Sequence, residues 1–177
     1  MKFPTCVIQN FFNNPKDILK YIKTLKWYNP KPKDNWPGKR TENLWELNEE
    51  LFKFVVNKSL SLYFNINTQI VRWKRSEIKF HKIKPKDLLK YKKQHTQIHR
   101  DNFELAGVIY LNENCFDENN GTTIYDDNKK EILRVSNYFN NAVFYDGSTL
   151  HGLTSFNKKD RLVLCVFIDG ITVDEKN

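Results

Sequence analysis

The chain has little with which to staple itself together. Its three cysteines, Cys6, Cys115 and Cys165, are odd in number and nowhere spaced as CxxC. That excludes a disulfide framework and a thiolate zinc site, and makes free thiols in a reducing cytoplasm the expectation. No window approaches the roughly 18 apolar residues that a membrane-spanning helix needs, so no membrane partner is expected. The opening MKFPTCVIQNFF is broken by Pro4 and Gln9, too soon for the apolar core of a signal peptide. There is no internal repeat, no low-complexity tract and no sign of a second domain.

What is present suits a single globular domain. Hydrophobic residues make up 40% of 177 and aromatics 14%, enough for one core that buries roughly 70% of the unfolded surface. The net charge of +8 invites a nucleic-acid reading. Only six of the 29 basic residues are Arg, however, and the Lys- and Asn-rich composition is that of A/T-rich coding. No basic block is long enough to act as a binding tail, so nucleic acid has no support beyond charge.

The pattern along the chain changes character once. Residues 5–12 alternate as a short strand, and Asn14-Pro15-Lys16-Asp17 marks a helix start, with Ile18, Leu19, Ile22 and Leu25 at helical spacing. A Pro-rich loop, 29–40, ends in Trp36-Pro37-Gly38-Lys39-Arg40. Residues 44–64 then predict one long helix free of Pro and Gly. From Thr68 the period becomes two, predicting strands at 69–73 and 77–83. A helical turn follows at 85–91, then strands at 95–99, 105–112, 122–125, 132–136, 142–145 and 162–168, separated by Asn- and Gly-containing turns. Helices first and strands after predict a mainly β (α+β) domain, a two-sheet sandwich or jelly roll buttressed by N-terminal helices.

With four histidines, each can be weighed. His99-Arg100-Asp101 is the informative group. On extended backbone, residues two apart point the same way, so His99 and Asp101 can converge while Arg100 points away. A second imidazole would complete the two-His, one-carboxylate face used by non-haem iron(II) oxygenases, and His151 is the downstream candidate. Ten residues further, Arg161 leads the apolar strand at 162–168. A cation there is costly without an anionic partner, and a guanidinium can grip a carboxylate through two parallel hydrogen bonds. His81 reads as an ordinary strand histidine. His95, four before His99, lacks the Glu that a helical HExxH zinc site requires. The letters His-Arg-Asp also open kinase catalytic loops, but position 106 is Ala and no Asp-Phe-Gly or Gly-rich loop accompanies them.

The set His99 to Asn102, Tyr110-Leu111-Asn112, Asn120-Gly121-Thr122, Asp146 five residues before His151, and Arg161 resembles the catalytic core of prolyl-hydroxylase-type 2-oxoglutarate/Fe(II)-dependent oxygenases. The resemblance spans residues 90–170. The Trp36–Arg40 segment is similar to one found early in small phage-encoded or bacterial members. The resemblance implies a double-stranded β-helix (jelly roll). It also implies iron ligation by His99, Asp101 and His151, and an ion pair from Arg161 to the distal carboxylate of 2-oxoglutarate, with Tyr110 as a second partner. Residues 1–177 would form one oxygenase domain, with helical support over about 1–66 and the jelly-roll core over about 67–170. Arg161 departs from the collagen-type branch, which uses Lys, and Asn120-Gly121 departs from the Gly-Gly of many relatives.

The implied reaction couples decarboxylation of 2-oxoglutarate, with Fe(II) and O2, to hydroxylation of a C–H bond in a protein side chain or small molecule. Two alternatives stay open: an oxygenase acting on a nucleobase, and a non-catalytic jelly-roll module binding nucleic acid. Asp146 reads equally as a support for the metal face or as a turn residue beside Gly147. Trp36 and Arg40 are candidates to close over a substrate.

Overall fold

A computed structural model describes residues 2–31, 36–89, 98–113, 117–153 and 159–176. The elements run β1 (Cys6–Ile8), α1 (Pro15–Thr24), β2 (Lys39–Arg40), α2 (Leu44–Leu47), α3 (Glu49–Leu60), β3 (Gln69–Arg72), β4 (Arg75–Ile83) and α4 (Pro85–Leu89). After these come β5 (Leu105–Tyr110), β6 (Asp117–Tyr125), β7 (Glu131–Asn137), β8 (Ala142–Asp146), β9 (Leu150–Gly152), β10 (Arg161–Asp169) and β11 (Thr172–Glu175). The chain is mainly β, as its pattern predicts. No described helix is long and apolar enough to cross a membrane.

Six strands form the larger sheet in the order β1-β8-β5-β10-β4-β2, three form a second in the order β7-β6-β9, and β11 pairs with β3. All of these pairings are antiparallel. The central strand β5 is buried along its whole length, and its alternate side chains serve two cores. Leu105 and Ile109 join Ile22 of α1 and Phe52, Val55, Val56 and Leu60 of α3 in one cluster. Ala106, Val108 and Tyr110 join Ile124 of β6 and Val135 of β7 in the other. The period of two therefore puts the helices on one face of the large sheet and the small sheet on the other. β8 and β10 divide the same way, with Phe144 and Leu164 toward the helices and Tyr145 and Cys165 toward the small sheet.

Three expectations need correction. The helix predicted over 44–64 is two helices, because Asn48 is extended (φ −161°, ψ 97°) and its side chain accepts the Leu51 N–H at 2.9 Å. Asn competes with helical backbone bonding in this way and is a favoured N-cap. The second helix also stops at Leu60, where Tyr63 and Phe64 turn back onto its carbonyl. Second, β6 begins at Asp117 rather than Thr122, and polar β11 was not anticipated. Third, His99 makes only an isolated bridge to His151. His95, Thr96 and Gln97 of the strand expected over 95–99 lie outside the described residues, as does Cys115.

Candidate active site

The second core opens into a cavity of about 390 Å³ whose lining includes His99, Asp101, His151, Arg161, His81 and Arg40. Strand parity delivers several of these. Arg161 has the parity of Val163 and Cys165, and so projects toward the small sheet. In β4, Ile78 and Phe80 face the helices, which turns His81 and Ile83 to the cavity. His151 sits on β9, opposite Ile124 of β6.

His99, Asp101 and His151 come together as the sequence predicts. Each offers a ligand atom within 4.8 Å of the others, and among the described residues no other group of three does so. Two backbone hydrogen bonds of 3.0 Å link His99 and His151, and their rings lie 4.3 Å apart between centroids. The intervening Arg100 turns outward to the Ser148 carbonyl and the Asp127 carboxylate. Asp101 takes its backbone position from the Gly147 carbonyl, 2.8 Å from its N–H.

The donor chemistry of this group is informative. His151 Nδ1 lies 2.9 Å from the Thr149 carbonyl. A carbonyl only accepts, so Nδ1 carries a proton and Nε2 is the ring atom turned to the site. Nε2 faces Asp101 Oδ2 at 3.2 Å, and Oδ2 is buried without a hydrogen-bond partner. Asp101 Oδ1 stands 3.6 Å from His99 Nε2. Burial opposes the charge on Asp101, but the two facing imidazoles outweigh it and hold the carboxyl below its ordinary range. Two imidazole nitrogens and a carboxylate oxygen thus converge on one space, a donor set that suits a shared cation.

Arg161 is 4% exposed, and its bonds to the described residues go to neutral oxygens. Nη1 donates to the carbonyls of Asn120 at 2.6 Å and Gly121 at 2.8 Å, and Nη2 reaches Thr122 Oγ1 at 3.5 Å. No carboxylate among the described residues lies within ion-pair distance of it. A buried cation with no counter-charge is costly unless an anion arrives. Tyr110 is fully buried beside it, with its hydroxyl 2.8 Å from Thr122 Oγ1 and its ring centroid 5.4 Å from the guanidinium. Thr122 contributes to the cavity wall.

Other lining residues escaped the sequence reading. His81 is buried, with Nε2 2.6 Å from the Pro37 carbonyl. Burial and the nearby Arg40 and Arg161 push its pKa down to about 3, so it is neutral. Tyr145 packs on the His151 ring at 4.6 Å, and Cys165 and Thr122 complete this wall. The parity of β4 and β8 would have exposed these positions had the helix-facing residues been known. Asp146 resolves as a turn residue: its carboxylate accepts Ser148 N–H, Ser148 Oγ–H and Phe3 N–H.

Several solved structures superpose on this fold. A prolyl hydroxylase from Trichoplax adhaerens, solved in complex with a hypoxia inducible factor oxygen degradation domain peptide, is 13% identical. It superposes with a TM-score of 0.62 over 94% of this chain and 83% of that one. A prolyl-4-hydroxylase from Pseudomonas putida gives 14%, 0.57, 93% and 91%. HygX from Streptomyces hygroscopicus, with nickel and 2-oxoglutarate bound, gives 10%, 0.58, 93% and 82%. The fold is therefore that of the 2-oxoglutarate-dependent oxygenases. The chain itself belongs to the family described as "Family of unknown function (DUF6445)", which matches residues 2–136 and so takes in His99 and Asp101. No curated protein matches it in sequence.

Proposed function

We propose that this chain is an Fe(II)- and 2-oxoglutarate-dependent dioxygenase, a single domain over residues 1–177. Its helices (about 1–66) would support a jelly-roll core (about 67–170). The observation that carries the reading is the convergence of His99, Asp101 and His151, whose candidate ligand atoms all lie within 4.8 Å of one another, with His151 Nε2 3.2 Å from the buried Asp101 Oδ2. His99, Asp101 and His151 would hold the metal by one face, leaving adjacent positions open. Arg161, a buried cation with no anion beside it among the described residues, would take the distal carboxylate of 2-oxoglutarate, with the Tyr110 hydroxyl, bonded to Thr122, as second partner.

When bound, iron with the oxo acid and O2 supplies oxidising chemistry that yields succinate and CO2 and hydroxylates a C–H bond. The chain's own residues do the positioning. The Thr149 carbonyl orients the His151 ring by accepting from Nδ1–H, Tyr145 packs on that ring, and Val108, Val163 and Phe167 line the cavity with apolar surface. The substrate would be a protein side chain, as in the prolyl-type enzymes, or a small molecule. Nucleic acid has only the net charge of +8 in its favour.

Succinate release from 2-oxoglutarate, with and without added iron, tests the reading. Iron-dependent release, even uncoupled from any other substrate, is the expected result. Absence of release, together with failure to bind nickel(II) and 2-oxoglutarate, would favour a non-catalytic binding module instead.

A further inference from the structure

The proposed reaction leaves one cavity cation without a task. Strand β2 sets Arg40 directly opposite His81 of β4, on backbone held by two hydrogen bonds to Tyr28 of 2.8 and 3.1 Å. Its guanidinium lies 4.4 Å from the Trp36 ring, and that ring meets His81 edge-on at 5.6 Å. Arg40 Nε is buried with no hydrogen-bond partner, although buried guanidinium N–H groups are normally bonded. Among the described residues its ion-pair partner is Glu77, 3.8 Å from Nη1, and that carboxylate lies closer to Lys79, at 3.1 Å. Glu77 is thus shared between two cations and leaves Arg40 incompletely matched.

Charge in the cavity points the same way. Among the described residues the charged side chains on its wall are Arg40, Arg161 and Asp101, with His81 neutral. On the oxygenase reading, on which this step rests, a divalent metal ion and the dianion of 2-oxoglutarate cancel each other. Asp101 offsets Arg161, and the charge of Arg40 is left over.

We propose that Arg40, braced on Trp36, grips a carboxylate of the prime substrate through its unpartnered Nε edge. A planar guanidinium edge matches a carboxylate bidentately, and stacking on an indole face fixes its plane. The substrate is then an acid that reaches the metal face while its carboxylate stays at β2. A free small acid and an acidic residue of a peptide share this chemistry.

The test uses the full chain, loaded anaerobically with nickel(II) and 2-oxoglutarate. Dissociation constants are measured for free amino acids against their carboxamides, and for blocked tripeptides with central Glu against central Gln. We expect at least one acid to bind roughly tenfold or more tighter than its amide. In Arg40→Gln that ratio should fall to near one, and in Arg40→Lys it should be partly kept. The arm in which the preference appears identifies the source of the carboxylate. No preference in the wild type, or a preference unchanged in Arg40→Gln, overturns the proposal. Should Arg40→Gln not fold, Glu77→Gln decides: removing the competing carboxylate should raise acid affinity severalfold, and no rise overturns it. Failure of the wild type to bind nickel(II) or 2-oxoglutarate would instead sink the oxygenase reading, and the acid-to-amide ratio can still be read on the unloaded chain.

Discussion

The Gly147 carbonyl accepts the Asp101 N–H at 2.8 Å, and the Gly147 N–H donates to the Glu104 carbonyl at 3.0 Å, so the turn before His151 and the segment carrying Asp101 are docked backbone to backbone. Glycine is required by space. A Cβ at 147 would stand 1.9 Å from the Phe103 carbonyl oxygen. Gly147→Ala should therefore push the Asp101 segment away and weaken nickel(II) binding by about 10- to 100-fold, the range for lost positioning of metal ligands. A calorimetric titration checks this, and wild-type affinity in a folded variant would remove the docking role.

Arg161→Ala should separate the two ligands of the proposed site. Affinity for 2-oxoglutarate on the nickel-loaded protein should fall by at least roughly tenfold, the cost of a lost charge-assisted contact. Affinity for nickel(II) itself should stay near wild type, because among the described residues Arg161 bonds to Asn120, Gly121 and Thr122 and to none of the three candidate ligands. Unchanged co-substrate affinity would sink the assignment of Arg161.

Asp101→Ala should abolish metal binding, while His99→Ala and His151→Ala each weaken it. The His151 variant should be the worse of these two, because its side chain is 7% exposed and anchored to Thr149, against 52% exposure for His99. Equal metal affinity in all three variants and the wild type would show that the ion, if any, binds elsewhere.

His81 gives a pH dependence whose sign can be worked out. Its folded pKa is lowered to about 3, mainly by burial, against an unfolded value near 6.5. The unfolded chain thus binds the extra proton between those values. The contribution to stability is complete above pH 6.5 and is lost as pH falls toward 3, at up to about 1.4 kcal/mol per pH unit. Urea unfolding at pH 7, 6 and 5 should show a shallower pH slope in His81→Gln than in wild type. Equal slopes would place the acid sensitivity in other groups.

How far the sequence could be read follows from where its signals are local. His99, Asp101, His151 and Arg161 are separated by fixed intervals that survive folding, so the metal face and the buried cation were both legible. Arg40, His81 and Tyr145 were harder because their place depends on which side of the large sheet the helices cover, a long-range fact. The break at Asn48 was hidden by an apolar spacing that reads through it. Asn48→Ala removes the bond to Leu51 N–H and should cost about 1 kcal/mol of stability, measurable as a lowered Tm. An unchanged Tm would mean the two helices are separated by packing rather than by the cap.

The bridge between His99 and His151 has a practical consequence. Its two amide hydrogens are the main-chain link between a segment outside the regular sheets and strand β9. An ion held by both side chains would clamp that link, so slowed deuterium uptake at these two amides serves as a gauge of how much of a preparation carries metal. That gauge works before any substrate is known.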